Sequence, residues 1–556
     1  MKKIYIASVL LSGILFLSVS AVFAYTNITA TEAAGLIHAE TSLMIVDVRE
    51  EDEFCDERGH ISCAVNYPYN SGQFHKRYEK LLRDAPILLI CRSGNRSLQA
   101  SKYLDSKGYA NIYNMLGGMK AWSGETVSCD DPPCMASHLY YPHIASGGGW
   151  ETEIWLINSN PAQTLSGVLT VYTDGGEAAA DPVKIRLAPF ARKEIIVGRE
   201  FAAADRAGYA VFVSDVKSNL FSGGLKFYKE GEFRVAIPAP TDDAADMDEM
   251  YLAHIASGQD WWTGVSVLNT ADASARMTVE FNTGDSVPLT LAGKEHRSFT
   301  IKALFGGSPP ENLQSAVIRG ADSIVGLELF GSEAASGNHY LSGILLNGNA
   351  ATSLYFPHMA ADGEWWTGIV AYNPSGMMEM ITITPFRQDG TVLAAEAISL
   401  VLMPAERYTA AFSSLGLPPD TAWLWIRSSE PVSGFELFGT YDGTRLAGYT
   451  GVDIAGTEGV FPKLEKDGWT GIAFVNIGGD TAVIRLTAHD DGGRSIAARE
   501  LRVSPNEKRM GTAEEMFSGS NIAAAAYVHY SSDQKLVAFQ LNGSSDGMML
   551  DGQPAQ

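Results

Sequence analysis

The sequence is poor in positive charge: 41 Lys and Arg stand against 64 Asp and Glu, a formal net charge of −23. That deficit excludes binding driven by nucleic-acid phosphates, which takes dense Lys and Arg. Past residue 24 no apolar run approaches the length of a membrane span. No segment has the ligand pattern of a calcium loop, and beyond Val127 a helical period is almost absent. Cysteine is scarce, at five in 556 residues, and the odd number means that complete pairing leaves one thiol over.

What is present begins with a leader. Lys2 and Lys3 precede an apolar run over 4–19, and Val22 and Ala24 supply the small residues of a cleavage site before Tyr25. This is the pattern of a secretory signal over 1–24, so a periplasmic or extracellular protein is expected; an uncleaved anchor is the alternative. The length implies four or five domains. Residues 25–127 hold thirteen acidic against eleven basic side chains, so the acidity lies almost wholly beyond them, as a soluble, self-repelling surface. In an oxidising compartment the economical pairings are Cys55 with Cys63 and Cys129 with Cys134. The other two connectivities of those four stay open, and Cys91 is left over.

Residues 25–127 read as an α/β unit with a parallel sheet. Thr29 with Glu32 forms a capping-box signature ahead of a short helix over 33–39. The runs 42–48 and 86–90 are nearly continuous and apolar, as in parallel strands buried on both faces. A helix from Ser97 closes at Gly108, and another strand follows over 110–115. The decisive junction is Ile90-Cys91-Arg92-Ser93-Gly94-Asn95-Arg96-Ser97, where a buried strand meets a helix start. Free helix N–H groups, the helix dipole and two arginines make an anion cradle there. Such surroundings favour thiolate over thiol at Cys91, and Gly94 lets the backbone curl close to the sulfur.

Asp47-Val48-Arg49-Glu50, Gly59-His60-Ile61, the Cys91–Ser97 loop and Leu116-Gly117-Gly118-Met119-Lys120-Ala121-Trp122 stand in an order that resembles a single-domain rhodanese. The resemblance covers about a fifth of the chain. It implies that Cys91 carries sulfane sulfur as a persulfide, that Arg92, Ser93, Gly94, Asn95 and Arg96 wrap that sulfur, and that Gly117, Gly118 and Trp122 pack the fold. It also implies a small sulfur anion as donor, a thiol or cyanide as acceptor, and no metal or organic cofactor. Asp47 and Arg49 read first as a structural ion pair and second as substrate contacts; His60 reads as a structural hydrogen-bonding residue. Cys55 and Cys63 depart from the family pattern, as a staple added for an oxidising compartment would. Cysteine phosphatases and arsenate reductases are the rival class, but they have five residues between cysteine and arginine. Four lie between Cys91 and Arg96, which gives a tighter ring suited to one sulfur atom.

After a linker at 128–136 the chain repeats itself. Thr152, Thr263, Thr367 and Thr470 are spaced 111, 104 and 103 residues apart, and each is followed six residues later by Asn158, Asn269, Asn373 or Asn476. His143-Ile144-Ala145, His254-Ile255-Ala256, His358-Met359-Ala360 and Lys463-Leu464-Glu465 open the four passages. Short alternating runs, such as 153–157, 168–172 and 183–187, with Asp-Gly turns at Asp174, Asp389 and Asp491, indicate immunoglobulin-like β-sandwiches. The expected modules are 137–245, 246–350, 351–456 and 457–556. The recurring Trp150, Trp262, Trp366 and Trp469 read as core or edge-covering residues ahead of a carbohydrate platform, and one histidine per repeat is a poor metal set. The whole reads as an exported sulfurtransferase domain on an array of four sandwiches. The alternative is an extracellular binding or adhesive protein whose repeats meet a protein or cell surface and whose first domain is accessory.

Overall fold

The computed structural model describes residues 25–556 apart from 40–42, 62–63, 79–80, 82–85, 125, 130–135, 203, 219–220, 257–259, 334–335, 361–362 and 452–454. The leader, Cys63 and Cys134 lie outside the described residues. The chain divides into two compact units, Met1–Cys134 and Met135–Gln556.

In the first unit the described strands β1 (Tyr25–Ile28), β2 (Met44–Asp47), β3 (Ala64–Asn66), β4 (Ile87–Ile90) and β5 (Ile112–Met115) form one parallel sheet in the order β1-β5-β4-β2-β3. Helices α1 (Ala30–Ala39), α2 (Glu51–Phe54), α3 (Gln73–Arg77) and α4 (Asn95–Ser106) connect them. The central strand β4 is four consecutive aliphatic residues with no exposed surface, because parallel strands between helices are buried on both faces. At α1 the capping box forms: the Thr29 amide donates to Glu32 at 2.7 Å, and the Glu32 amide donates to the Thr29 hydroxyl at 3.2 Å. Among the described residues no helix is long and apolar enough to cross a membrane.

The disulfide differs from the local pairing. Cys55 is bonded to Cys129, 74 residues away, with Cα atoms 5.3 Å apart, so the Cys55–Cys63 and Cys129–Cys134 pairs are not formed. The cause is a tertiary return of the chain. His60 and Val127 exchange backbone hydrogen bonds, both at 2.9 Å, and this bridge carries Cys129 to the end of α2, where Cys55 is the C-cap.

The second unit is predominantly β, with a few helical turns, and forms four successive two-layer sandwiches. In the first, Arg192–Ile196, Trp150–Asn158, Phe221–Lys229 and Phe233–Pro238 face Ala136–Tyr141, Tyr209–Ser218, Leu165–Tyr172 and Val183–Leu187. The second repeats that arrangement. In the third and fourth, single long strands, Thr421–Thr440 and Tyr527–Ser544, turn the corner and serve both layers. The repeat-marking residues are the pins of this fold. Thr152, Thr263 and Thr367 each accept the amide and donate to the carbonyl of Ala145, Ala256 and Ala360. The buried Asn158, Asn269, Asn373 and Asn476 each donate to two or three carbonyls that close the next turn.

The sandwiches form a closed ring rather than an open array. Phe233–Pro238, Leu341–Leu346, Leu446–Thr450 and Leu550–Pro554, one strand from each, touch in succession, and the last touches the first. Apolar clusters span every junction: Tyr140 and Tyr209 with Leu268 and Val325, Phe330 and Tyr340 with Tyr372 and Phe435, Phe438 and Tyr449 with Phe539 and Leu550, and Trp155 and Ile157 with Val460 and Tyr527. The Asp-Gly turns dock here too. A Cβ on Gly493, at φ +85°, would stand 2.3 Å from the Pro189 carbonyl of the first sandwich, so this turn needs glycine for conformation and for contact.

The fourth-to-first junction adds an ionic network to its apolar cluster. Lys463 meets Glu153 at 2.7 Å and Glu194 at 3.2 Å, Lys226 meets Glu153 at 3.0 Å, Arg192 meets Asp491 at 3.1 Å, and Arg234 pairs with Asp551. Burial works to raise the Glu194 carboxyl, yet Arg192 and Lys463 bring it down to about 2.

Candidate active site

Cys91 follows the last residue of β4 and is 1% exposed; among the described residues it is the free cysteine. Its Sγ accepts the Gly94 amide at 3.1 Å and the Ser97 hydroxyl at 3.4 Å. Gly94 is the N-cap of α4 at φ +90°, a left-handed conformation that aims its N–H at the sulfur and starts the helix at the next residue. The sulfur thus sits at the N-terminus of a twelve-residue helix, the positive end of its dipole.

A second turn fixes the loop from below. The Met119 amide donates to the Cys91 carbonyl at 2.8 Å and the Lys120 amide to the Arg92 carbonyl at 3.1 Å. A Cβ on Gly118 would lie 2.1 Å from the Cys91 carbonyl oxygen, which explains a glycine in the Gly117-Gly118 pair. Trp122 packs half-buried against the cluster of Ala33, Leu43, Ile90 and Met115.

The two arginines of the loop are not equivalent. Arg92 is 64% exposed and stands 3.9 Å from Glu53, whereas Arg96 grips Glu53 through two nitrogens, at 2.6 and 2.9 Å. The Arg96 hydrogen bond holds the Glu53 carboxyl below the usual range; in return Glu53, and further down the field of Cys91, stabilise charged Arg96. Ser93 and Asn95 are exposed and Gly94 is buried. Loop 92–96 therefore presents Arg92, Ser93 and Asn95 outward, with Arg96 as a braced positive wall.

Asp47 and Arg49 are fully buried beneath the site. Arg49 donates to Asp47 at 2.8 Å and to the carbonyls of Glu53 and Gly59 at 2.6 and 3.0 Å. Burial pushes the Asp47 carboxyl up against the pull of Arg49. These two residues position α2, and through it Glu53. His60 stacks on Phe54 with ring centroids 3.8 Å apart. Sequence reasoning missed Glu53 as a site residue. Its place three residues after Glu50 in a helical first turn was visible, but its partner lies 43 residues away. Ser97, seen only as part of the loop, is the second donor to the sulfur.

Fold and loop together define an α/β domain that seats one cysteine in an anion cradle at a strand-to-helix junction. Residues 29–125 match the Rhodanese-like domain family. The "Putative sulfurtransferase YtwF" of Bacillus subtilis (strain 168) is 41% identical over 90 residues, 16% of this chain and 82% of that relative. The thiosulfate sulfurtransferase GlpE of Pseudomonas entomophila (strain L48) is 34% identical over 100 residues, 17% of this chain and 87% of that relative. A solved rhodanese-like domain protein from Staphylococcus aureus is 27% identical, covering 18% of this chain and 92% of that one, with a TM-score of 0.16. Through its first unit the chain belongs to the rhodanese-like family.

Proposed function

We propose that the first unit transfers sulfane sulfur through a persulfide on Cys91. The observation that carries this reading is the free sulfur held by the Gly94 amide and the Ser97 hydroxyl at a helix N-terminus, in a chain similar to proteins named sulfurtransferases. With thiosulfate as donor, the Cys91 sulfur attacks the outer sulfur. A new S–S bond forms, the S–S bond of thiosulfate breaks, and sulfite leaves with the electron pair. A thiolate or cyanide then attacks the outer sulfur of the persulfide and releases Cys91. Helix dipole, Gly94 and Arg96 stabilise the negative charge on sulfur in both steps. Arg92, the exposed cation, draws the anionic donor in. The apolar leader and the disulfide support a periplasmic or extracellular setting.

The experiment is mass spectrometry of the protein after incubation with thiosulfate, alongside Cys91→Ser. One added sulfur on the Cys91 peptide is expected, and the variant should lose sulfur transfer to cyanide while keeping its circular dichroism, since a hydroxyl fits the loop but cannot carry the persulfide. Turnover retained in Cys91→Ser sinks the assignment. So does aryl phosphate hydrolysis that depends on Cys91 in the absence of sulfur transfer.

A further inference from the structure

The ring has clefts where its sandwiches meet. One of about 850 Å³ lies between the third and fourth. Others of about 440 and 370 Å³ occupy the corresponding place between the second and third and between the first and second. All three fall in the size range of small-molecule sites. Their shared wall is an indole laid flat on a sheet. A Cβ on Gly471 would meet the Trp469 ring at 3.2 Å, and one on Gly543 would meet it at 2.2 Å. Trp469 thus lies across two neighbouring strands over a floor cleared by glycine. Trp366 lies in the same way over Gly368 and Gly439, and Trp262 over Gly264 and Gly331. A ring pressed flat on a sheet turns its other face outward, and Trp469 is 39% exposed, so it is a platform on the sheet rather than part of a core.

In the cleft of about 850 Å³ a second indole, Trp365, comes from the third sandwich, and Arg445 stacks on it at 4.8 Å. The rim mixes donors and acceptors: Arg387, Gln388, Asp389, Asp420, Thr512 and Glu515. Arg387 is paired with Asp420 and Lys508 also lines the cleft, so Asp389 and Glu515 leave an excess of a single negative charge, too little to select a cation. This combination selects among ligand classes. An anion or cation needs an excess of opposite charge, and an acyl chain has no use for a polar rim. A sugar ring has an apolar C–H face that lies on an indole and edge hydroxyls that both donate and accept hydrogen bonds. The clefts also recur round a ring, which suits a ligand made of repeated units, because linked weak sites gain by avidity. The fourth junction breaks the series: Glu151 replaces the tryptophan, and the Lys463–Glu153 contact belongs to the ionic network there.

We propose that the clefts between consecutive sandwiches bind an oligosaccharide, with the Trp365 and Trp469 cleft as the principal site. This site is independent of Cys91 chemistry and stands or falls separately from it. The test is calorimetric titration of the full-length protein with cellohexaose, chitohexaose and maltohexaose, repeated on Trp469→Ala and Trp469→Phe. At least one oligosaccharide should bind saturably, with affinity at least tenfold weaker in the alanine variant and intermediate in the phenylalanine variant, at an unchanged Tm. Absence of binding by all three at millimolar concentration overturns the proposal. So does binding that neither variant alters, or capture of an apolar peptide in place of every sugar. Acrylamide quenching of the unmodified protein gives a measurement free of folding effects: bound oligosaccharide should shield indole fluorescence, and unshielded indoles at saturation count against the site.

Discussion

At the scale of single residues, the site depends on a contest for Arg96. Glu53 takes two of its nitrogens, so part of the Arg96 charge is drawn toward Glu53 before any donor arrives. Glu53→Gln leaves a side chain of the same shape and releases that charge to the cradle. For a partly exposed charge the gain is about 0.5–1 kcal/mol, so KM for thiosulfate should fall roughly two- to fivefold at low ionic strength. A neutral sulfur donor should change little. Equal changes for both donors, or none, would mean that Glu53 only positions α2. Cys91 and its loop were legible in the sequence because cradle, glycine and arginines are contiguous. Glu53 was not, because a carboxylate in a helix is usually just a solvated charge until a distant partner is seen.

At the scale of elements, α2 links the disulfide to the active loop. Cys55 caps the helix two residues after Glu53, and Arg49 ties the same turn to Asp47 and Gly59. Closing a loop of 74 residues removes unfolded-state entropy worth roughly 4 kcal/mol by the chain-entropy relation. Cys55→Ser with Cys129→Ser should therefore unfold the first unit at markedly lower urea concentration. It should also loosen the brace on Arg96 while leaving the Cys91 persulfide chemically possible. Peptide mapping of protein alkylated without reduction checks the connectivity, and a Cys55–Cys63 peptide would refute it. Strands β2, β4 and β5 were readable from apolar runs, with ends a few residues off because ladders stop where partners stop. The disulfide was not readable, since proximity in sequence favoured the short loop and the return through Val127 is a tertiary event.

At the scale of the whole molecule, the repeats were legible as four sandwiches because Thr and Asn mark each one. Closure into a ring was not, because no local pattern says that Leu550–Pro554 will meet Phe233–Pro238. Closure packs half-buried histidines into the junctions, and these set the acid response. Burial first, then nearby His296, Arg407 and His489 in turn, lower His143 to about 4, His254 to about 3 and His529 to about 4; burial and Lys508 hold His358 well below its ordinary value. An unfolded histidine takes up a proton near pH 6.5. Between pH 7 and 5 the unfolded chain therefore binds protons at these histidines that the folded ring refuses. Glu328 and Glu436 oppose this, since burial raises both, and the folded state keeps protons that the unfolded chain releases above about 4.5. Burial also lowers His296 and His489 and raises Asp47, so lowered histidines outnumber raised carboxyls and the unfolded state binds more protons overall. The histidine contribution is then full above pH 6.5 and is lost as pH falls toward the folded histidine values, by about 1.4 kcal/mol per pH unit for each net proton, whereas the contribution of the raised carboxyls is lost as pH rises, for Glu436 through about 8. His529 packs beside Phe190 and His489, so His529→Phe removes one titration with little change in packing. Its urea stability should match the parent protein at pH 7.5. From pH 6 to 5 the loss should be shallower by about one proton, about 1.4 kcal/mol per pH unit. Nine of the ten tryptophans lie beyond Val127, so intrinsic fluorescence reports the ring. Parallel curves for the two proteins from pH 7.5 to 5 would show that His529 takes up its proton in the folded ring.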